Sequence, residues 1–80
     1  IPEKTSYFET ILITLNDTLV EKYLNGKINY ISIQRNLLKL IKTSYFSKFY
    51  KLKPKNIYDI KNMINLTKFY LEKKIKYYEN

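Results

Sequence analysis

Apolar residues recur at helical spacing over most of the chain, most clearly near its end. After Lys53-Pro54-Lys55 breaks the backbone, Asn56 occupies an N-cap position and Asp59 falls in the first turn, where the helix dipole favours a negative charge. Ile57, Ile60, Ile64, Leu71, Ile75 and Tyr78 then keep to one face of a 3.6-residue period, with Met63, Leu66 and Tyr70 widening the stripe. Lys61, Asn62, Asn65, Lys68, Glu72, Lys73 and Lys76 take up most of the remaining surface. This pattern predicts a helix over residues 57–78.

Near the start, Ser6 is followed three positions on by Glu9 and then by an apolar run, the signature of a capping box. The stripe here is Phe8, Leu12, Leu15, Leu19 and Tyr23, flanked by Ile11, Val20 and Leu24. Gly26, the single glycine, stands where a helix C′ residue adopts positive φ. Asn16-Asp17-Thr18 are poor helix formers inside this pattern. The segment reads either as one helix over 6–25 or as a loose turn leading into a firm helix from residue 12.

A third element fills the middle. Ile28 and Tyr30 alternate with polar residues as a short extended lead-in, and Ile33, Leu37, Leu40, Ile41 and Tyr45 then repeat at helical spacing, predicting a helix near 31–44. Between Thr43 and Lys53, Tyr45, Phe46, Phe49, Tyr50 and Leu52 lie among lysines with no Gly or Pro before Pro54. That stretch is either a helix continuation or an aromatic-rich loop packed on the bundle. No internal repeat, long linker or sustained period-2 run occurs. The expected fold is therefore all-α, a small three- to four-helix bundle forming a single domain over 1–80.

Composition sharpens this picture in one respect and blurs it in another. Eighty residues are few for a self-sufficient core, and without cysteine neither a disulfide nor a thiolate metal site can reinforce it. Apolar packing must supply the stability, either within the chain or against a larger body. No stretch approaches the roughly 20 apolar residues of a membrane span. The chain starts at Ile1, carries no signal-peptide pattern, and is expected to be a piece of a longer polypeptide. The net charge of +8 invites an acidic partner or nucleic acid. Yet the abundance of Lys, Asn, Ile and Tyr is what AT-rich codons supply, which weakens the charge as a functional signal.

Chemistry-bearing constellations are sparse. The acids Glu3, Glu9, Asp17, Glu21, Asp59, Glu72 and Glu79 are scattered, and the chain has no histidine. Asp17 and Glu21 share a helix face at i,i+4 spacing, but a hard divalent cation usually requires further oxygen ligands. With no phosphate loop, nucleophile elbow or metal motif, catalysis by this chain alone, and a cofactor of its own, are not expected. The window from Glu21 to Asp59 contains no acid but nine basic residues. Within it, Lys39, Lys42, Lys48 and Lys51 interleave with Tyr45, Phe46, Phe49 and Tyr50. Cations beside stacking rings suit single-stranded nucleic acid, so these eight residues are the candidate interaction surface. The plainer reading makes the rings core or docking residues and the lysines a solubilising fringe. The single Arg, where phosphate and base recognition usually favour Arg, supports the plainer one. Nine tyrosines are more than so small a bundle can bury with every hydroxyl satisfied, so several should lie at a surface or an interface.

Three blocks in order resemble the C-terminal helical domain of the 1-deoxy-D-xylulose 5-phosphate reductoisomerase family. Leu12-Ile13-Thr14-Leu15-Asn16-Asp17 falls on that domain's Leu-Asn-Ala-Ala-Asn-Glu helix opening, followed by Val20, Tyr23-Leu24 and the turn Asn25-Gly26-Lys27. Ile28-Asn29-Tyr30-Ile31-Ser32-Ile33 falls on the next block and Pro54 to Ile75 on the final helix, so the resemblance covers residues 10–75. Departures stand at Ile13, Thr14 and Leu15, at Ser32 in place of Asp, and at Ile64 in place of an acid, whereas Lys68 keeps a basic position. The small residues that let helices approach closely are missing from these blocks. The resemblance implies an NADPH-dependent enzyme of the non-mevalonate isoprenoid route whose metal, phosphate and nicotinamide sites lie upstream. It assigns no catalytic residue here. By this resemblance the chain is a non-catalytic scaffold or protein-interaction domain, either part of such an enzyme or reused elsewhere. Its partner is an upstream catalytic domain or a separate protein, and because that pathway is bacterial or plastid-borne, the plastid or apicoplast of an AT-rich eukaryote would fit. A basic helical nucleic-acid-binding module is the alternative.

Overall fold

A computed structural model describes residues 6–78 of the chain, with side chains described as far as residue 74. The side chains of Ile75 and Tyr78, and the acids Glu3 and Glu79, lie outside the described residues. Four helices follow in order: α1 (Tyr7–Leu24), α2 (Tyr30–Ile41), the single turn α3 (Ser44–Ser47) and α4 (Ile57–Tyr78). Among the described residues there is no strand, and no helix is long and apolar enough to cross a membrane. The all-α expectation holds.

Helix α1 is one continuous helix, and it is central, packing against both α2 and α4. Its N-cap Ser6 is extended, but the Ser6 hydroxyl meets the Glu9 carboxylate at 3.4 Å instead of capping the backbone. The helix starts where the capping box predicts, without the reciprocal bonds. At the other end, the Gly26 N–H donates to the Tyr23 carbonyl and the Lys27 N–H to the Lys22 carbonyl, closing a Schellman motif around Gly26 at φ 73°.

Helix α2 corrects the expected boundaries. The Asn29 side chain accepts from the Ser32 N–H at 2.9 Å, so Asn29 is an N-cap and Tyr30 already lies in the first turn rather than in an extended lead-in. The helix ends at Ile41, not 44, because Thr43 turns to extended backbone and starts α3. Its hydroxyl donates to the Leu40 carbonyl at 2.8 Å, occupying an acceptor left over by the helix end. The Thr43–Lys53 stretch is thus neither a helix extension nor a plain loop, but one helical turn followed by tight turns.

The start of α4 follows the sequence. The Asn56 Oδ1 accepts from the Asp59 N–H at 3.0 Å, and the Asp59 carboxylate accepts from the Lys55 N–H at 2.9 Å. Where α1 begins, the Tyr7 N–H donates to the Leu52 carbonyl, and near its end Lys22 pairs with Glu72. Those two contacts make α1 and α4 run in the same general direction. Helix α2 runs back between them in the chain: Tyr23 and Tyr30 meet at one end of the α1–α2 pair, and at the other Tyr50 donates its hydroxyl to the Ile41 carbonyl while its ring meets Phe8.

The core comprises Ile11, Leu15, Leu19, Ile28, Leu40, Phe46, Met63 and Leu71. Its centre lines are rotated from the predicted stripes. On α1 the buried line is Ile11, Thr14, Leu15, Thr18 and Leu19, while Phe8 and Tyr23 sit at its exposed margins. On α2 it is Ser32, Asn36 and Leu40, and on α4 Thr67 lies between Met63 and Leu71. Binary patterning counts these compact polar residues as surface. They bury because two of their hydroxyls bond back along their own helices: Thr18 donates to the Thr14 carbonyl and Thr67 to the Met63 carbonyl, both at 2.7 Å. A hydroxyl satisfied in this way escapes most of the desolvation cost of burial. Compact residues therefore do stand at the helix contacts, as Thr14, Thr18, Ser32 and Thr67 rather than as alanines. Because they hold the centres, several large apolar residues are turned outward.

Candidate functional site

The eight residues singled out between Lys39 and Lys51 divide cleanly in space. Lys39 and Lys42 are exposed on and just after α2, and Lys48 and Lys51 are exposed around the turns after α3. Phe46 is not at the surface; it is completely buried. Tyr45, Phe49 and Tyr50 are half-buried and packed against the core. The short α3 drives Phe46 into the bundle while Tyr45, one residue earlier, lies along its edge.

These rings are engaged with one another. Tyr45 stacks on Tyr70 of α4, with centroids 4.1 Å apart and planes 7° from parallel. Phe46 meets Tyr70 edge-on at 5.0 Å, and Phe49 meets Tyr7 edge-on at 6.4 Å. Tyr50 meets Phe8 edge-on at 4.9 Å and donates its hydroxyl to the Ile41 carbonyl. Lys48 Nζ lies 5.0 Å from the Tyr45 centroid and 5.2 Å from that of Phe49, within cation–π range of both. A ring that stacks on another ring and is approached by a lysine is a poor platform for a nucleobase. These contacts join Tyr45 and Phe46 of α3 to Tyr70 of α4, with the exposed Lys48 beside Tyr45 and Phe49.

Two of the phenols are shifted. Burial pushes the Tyr50 hydroxyl above the usual tyrosine range. Burial likewise raises Tyr7, with the negative charge of Asp59 adding to the effect.

Asp17 and Glu21 are both exposed on α1. Among the described residues, no group of three or more acidic side chains converges as a metal site would require.

A different surface emerges between α1 and α2. Two adjoining depressions share Asn16 and Leu37 and form a shallow groove along the pair. Ile13 (59% exposed) borders it from α1, and Tyr30 (72%) and Ile31 (66%) from α2. Asp17 and Asn16 put the polar groups of α1 into it, and Gln34 adds one from α2. None of its described lining residues is Lys or Arg, although the chain holds fifteen. Sequence reasoning passed over this surface because Ile13 lies off the apolar stripe of α1 and Tyr30 reads as lead-in. The available signal was Ile13 itself, a large apolar residue outside any stripe that could bury it.

Comparison with known proteins yields one informative match. The chain is 41% identical over 63 residues to a 1-deoxy-D-xylulose 5-phosphate reductoisomerase from Pelagibacter ubique (strain HTCC1062). The matched segment takes in 79% of this chain but 16% of that protein, so the chain spans about a sixth of its relative's length. No family model matches the chain, and no solved structure matches it significantly. The chain is thus related to that enzyme over most of its own length.

Proposed function

We propose that this chain is the C-terminal helical domain of a reductoisomerase-type polypeptide, and that it contributes structure rather than reacting groups. The observation that carries this reading is the 41% identity over 63 residues, found in a chain whose helical blocks also follow that domain's order. The distribution of side chains supports it. The exposed large apolar residues, among them Ile13, Leu24, Tyr30, Ile31 and Leu38 on α1 and α2, are numerous for so small a bundle. Apolar surface of this extent suits a module resting against a larger body. The pathway the resemblance implies is bacterial or plastid-borne, and a plastid setting for the parent polypeptide is part of the same proposal.

The test is to isolate the native polypeptide from its source and sequence the peptides joined to Ile1. A Gly-rich dinucleotide-binding segment together with clustered metal-binding carboxylates upstream is the expected result. A polypeptide lacking both would mean that the domain serves another protein, and the enzymatic part of the reading would fall.

The alternative of a nucleic-acid-binding module finds less support in the geometry, since Tyr45, Phe46 and Phe49 are occupied by packing. Of the eight residues singled out for it, the lysines are the exposed ones, and they provide charge without base stacking.

A further inference from the structure

The groove between α1 and α2 joins exposed apolar side chains to a lining free of Lys and Arg among its described residues. Its apolar margin is formed by Ile13, Tyr30 and Ile31, with half-buried Leu37 at its floor. Its only described ionisable side chains are the Asp17 carboxylate and the Tyr30 phenol, in a chain of net charge +8. If lysines were scattered at random over the surface, some would be expected along so long a depression.

We infer that this groove is the face by which the module docks, and that its occupant is an apolar segment of the polypeptide beyond this chain carrying a basic group opposite Asp17. The inference rests on the proposed relation to a longer enzyme and names the surface that relation uses. Charge selects the occupant. A two-fold dimer through this face would bring two identical grooves together, each with a carboxylate and neither with a cation to meet it. A nucleic acid or anionic membrane would be repelled by Asp17 and would find no lysine in the lining. The extent of chain outside the match points the same way, since 84% of the relative's length lies beyond the segment that this chain resembles. Large apolar side chains at the margin would be covered on docking, and Asn16 and Gln34 would supply hydrogen bonds at the rim.

The test uses the full-length polypeptide with the photo-crosslinking residue p-benzoylphenylalanine placed at Ile31, and in a second preparation at Tyr58. Both positions are exposed, at 66% and 71%, so neither substitution disturbs the core, and Tyr58 does not line the groove. Intramolecular crosslinks from position 31 to sequence outside this chain, with none from position 58, are expected. Crosslinks from 58 alone, or equally from both, would overturn the groove as the docking face while leaving the structural role intact. Absence of intramolecular crosslinks from either position would remove both. Crosslinks from 31 to a second copy would replace the proposed occupant with a dimer. Asp17→Lys, at an exposed position, should abolish the crosslink from 31; an undiminished yield would refute the basic group.

Discussion

Tyr45 of the short α3 lies flat on Tyr70 of the long α4, ring to ring at 4.1 Å, and with Phe46 it ties the aromatic turn to the bundle. This contact changes the meaning of the lysine-and-aromatic segment. The rings pack on one another, and Lys48 Nζ lies within cation–π range of Tyr45 and Phe49.

The first prediction concerns that cluster. Phe46→Ala removes a fully buried ring and should cost about 3–5 kcal/mol, enough to leave the chain largely unfolded. Tyr70→Ala should cost roughly 2–4 kcal/mol through the lost stack and the uncovered Phe46, whereas Tyr70→Phe, which keeps the ring, should cost well under that. Urea denaturation followed by circular dichroism measures all three. Equal stabilities for Tyr70→Ala and the parent would show the stack to be ornamental.

A second prediction isolates backbone strain. Nothing lies within 4 Å of a Cβ built on Gly26, so Gly26→Ala meets no steric obstacle, only the positive φ of 73°. It should lower stability by about 1–2 kcal/mol, with Gly26→Asn closer to the parent because Asn tolerates that region better. The rank order in thermal melts is the check.

The caps of α4 give a third. Asn56→Ala removes the acceptor for the Asp59 N–H and should cost about 1 kcal/mol, while Asn56→Asp should be close to neutral. Amide hydrogen exchange should report the loss locally, through faster exchange at the Asp59 amide.

Alkaline pH provides a fourth. Tyr50 and Tyr7 both have phenols raised above the ordinary value of 10.0 by burial, helped at Tyr7 by Asp59. A raised folded-state value means that the folded chain holds its phenolic protons after the unfolded chain has released them. Their contribution to stability is therefore complete below about pH 10 and declines as pH climbs through the folded-state values. Urea midpoints should fall from pH 10 upward. Tyr50→Phe should be less stable at neutral pH, having lost its bond to the Ile41 carbonyl, but should fall less steeply at high pH. An equally steep decline would remove Tyr50 from the effect.

Much of the fold was readable before any coordinates. The 3.6-residue period, Asn56 after Pro54 and Gly26 after the first apolar run locate the helices because these signals are local, set by backbone geometry and hydrogen bonds within a few residues. The start of α2 was missed at Asn29, since a cap inside a polar–apolar alternation looks like an extended segment until its bond to Ser32 is seen.

What only the tertiary structure decided is which way each helix faces. Thr14, Thr18, Ser32, Asn36 and Thr67 take the buried positions that an apolar stripe would have assigned to larger neighbours. A hydroxyl can be buried cheaply when a carbonyl on its own helix accepts it, and composition cannot reveal whether packing will use that option. The same facing leaves Ile13, Tyr30 and Ile31 along the α1–α2 groove, while the short α3 turns Phe46 into the core. Helix existence is a one-dimensional property of this chain; helix facing, and with it the candidate docking surface, arises only when three helices compete to bury their sides at once.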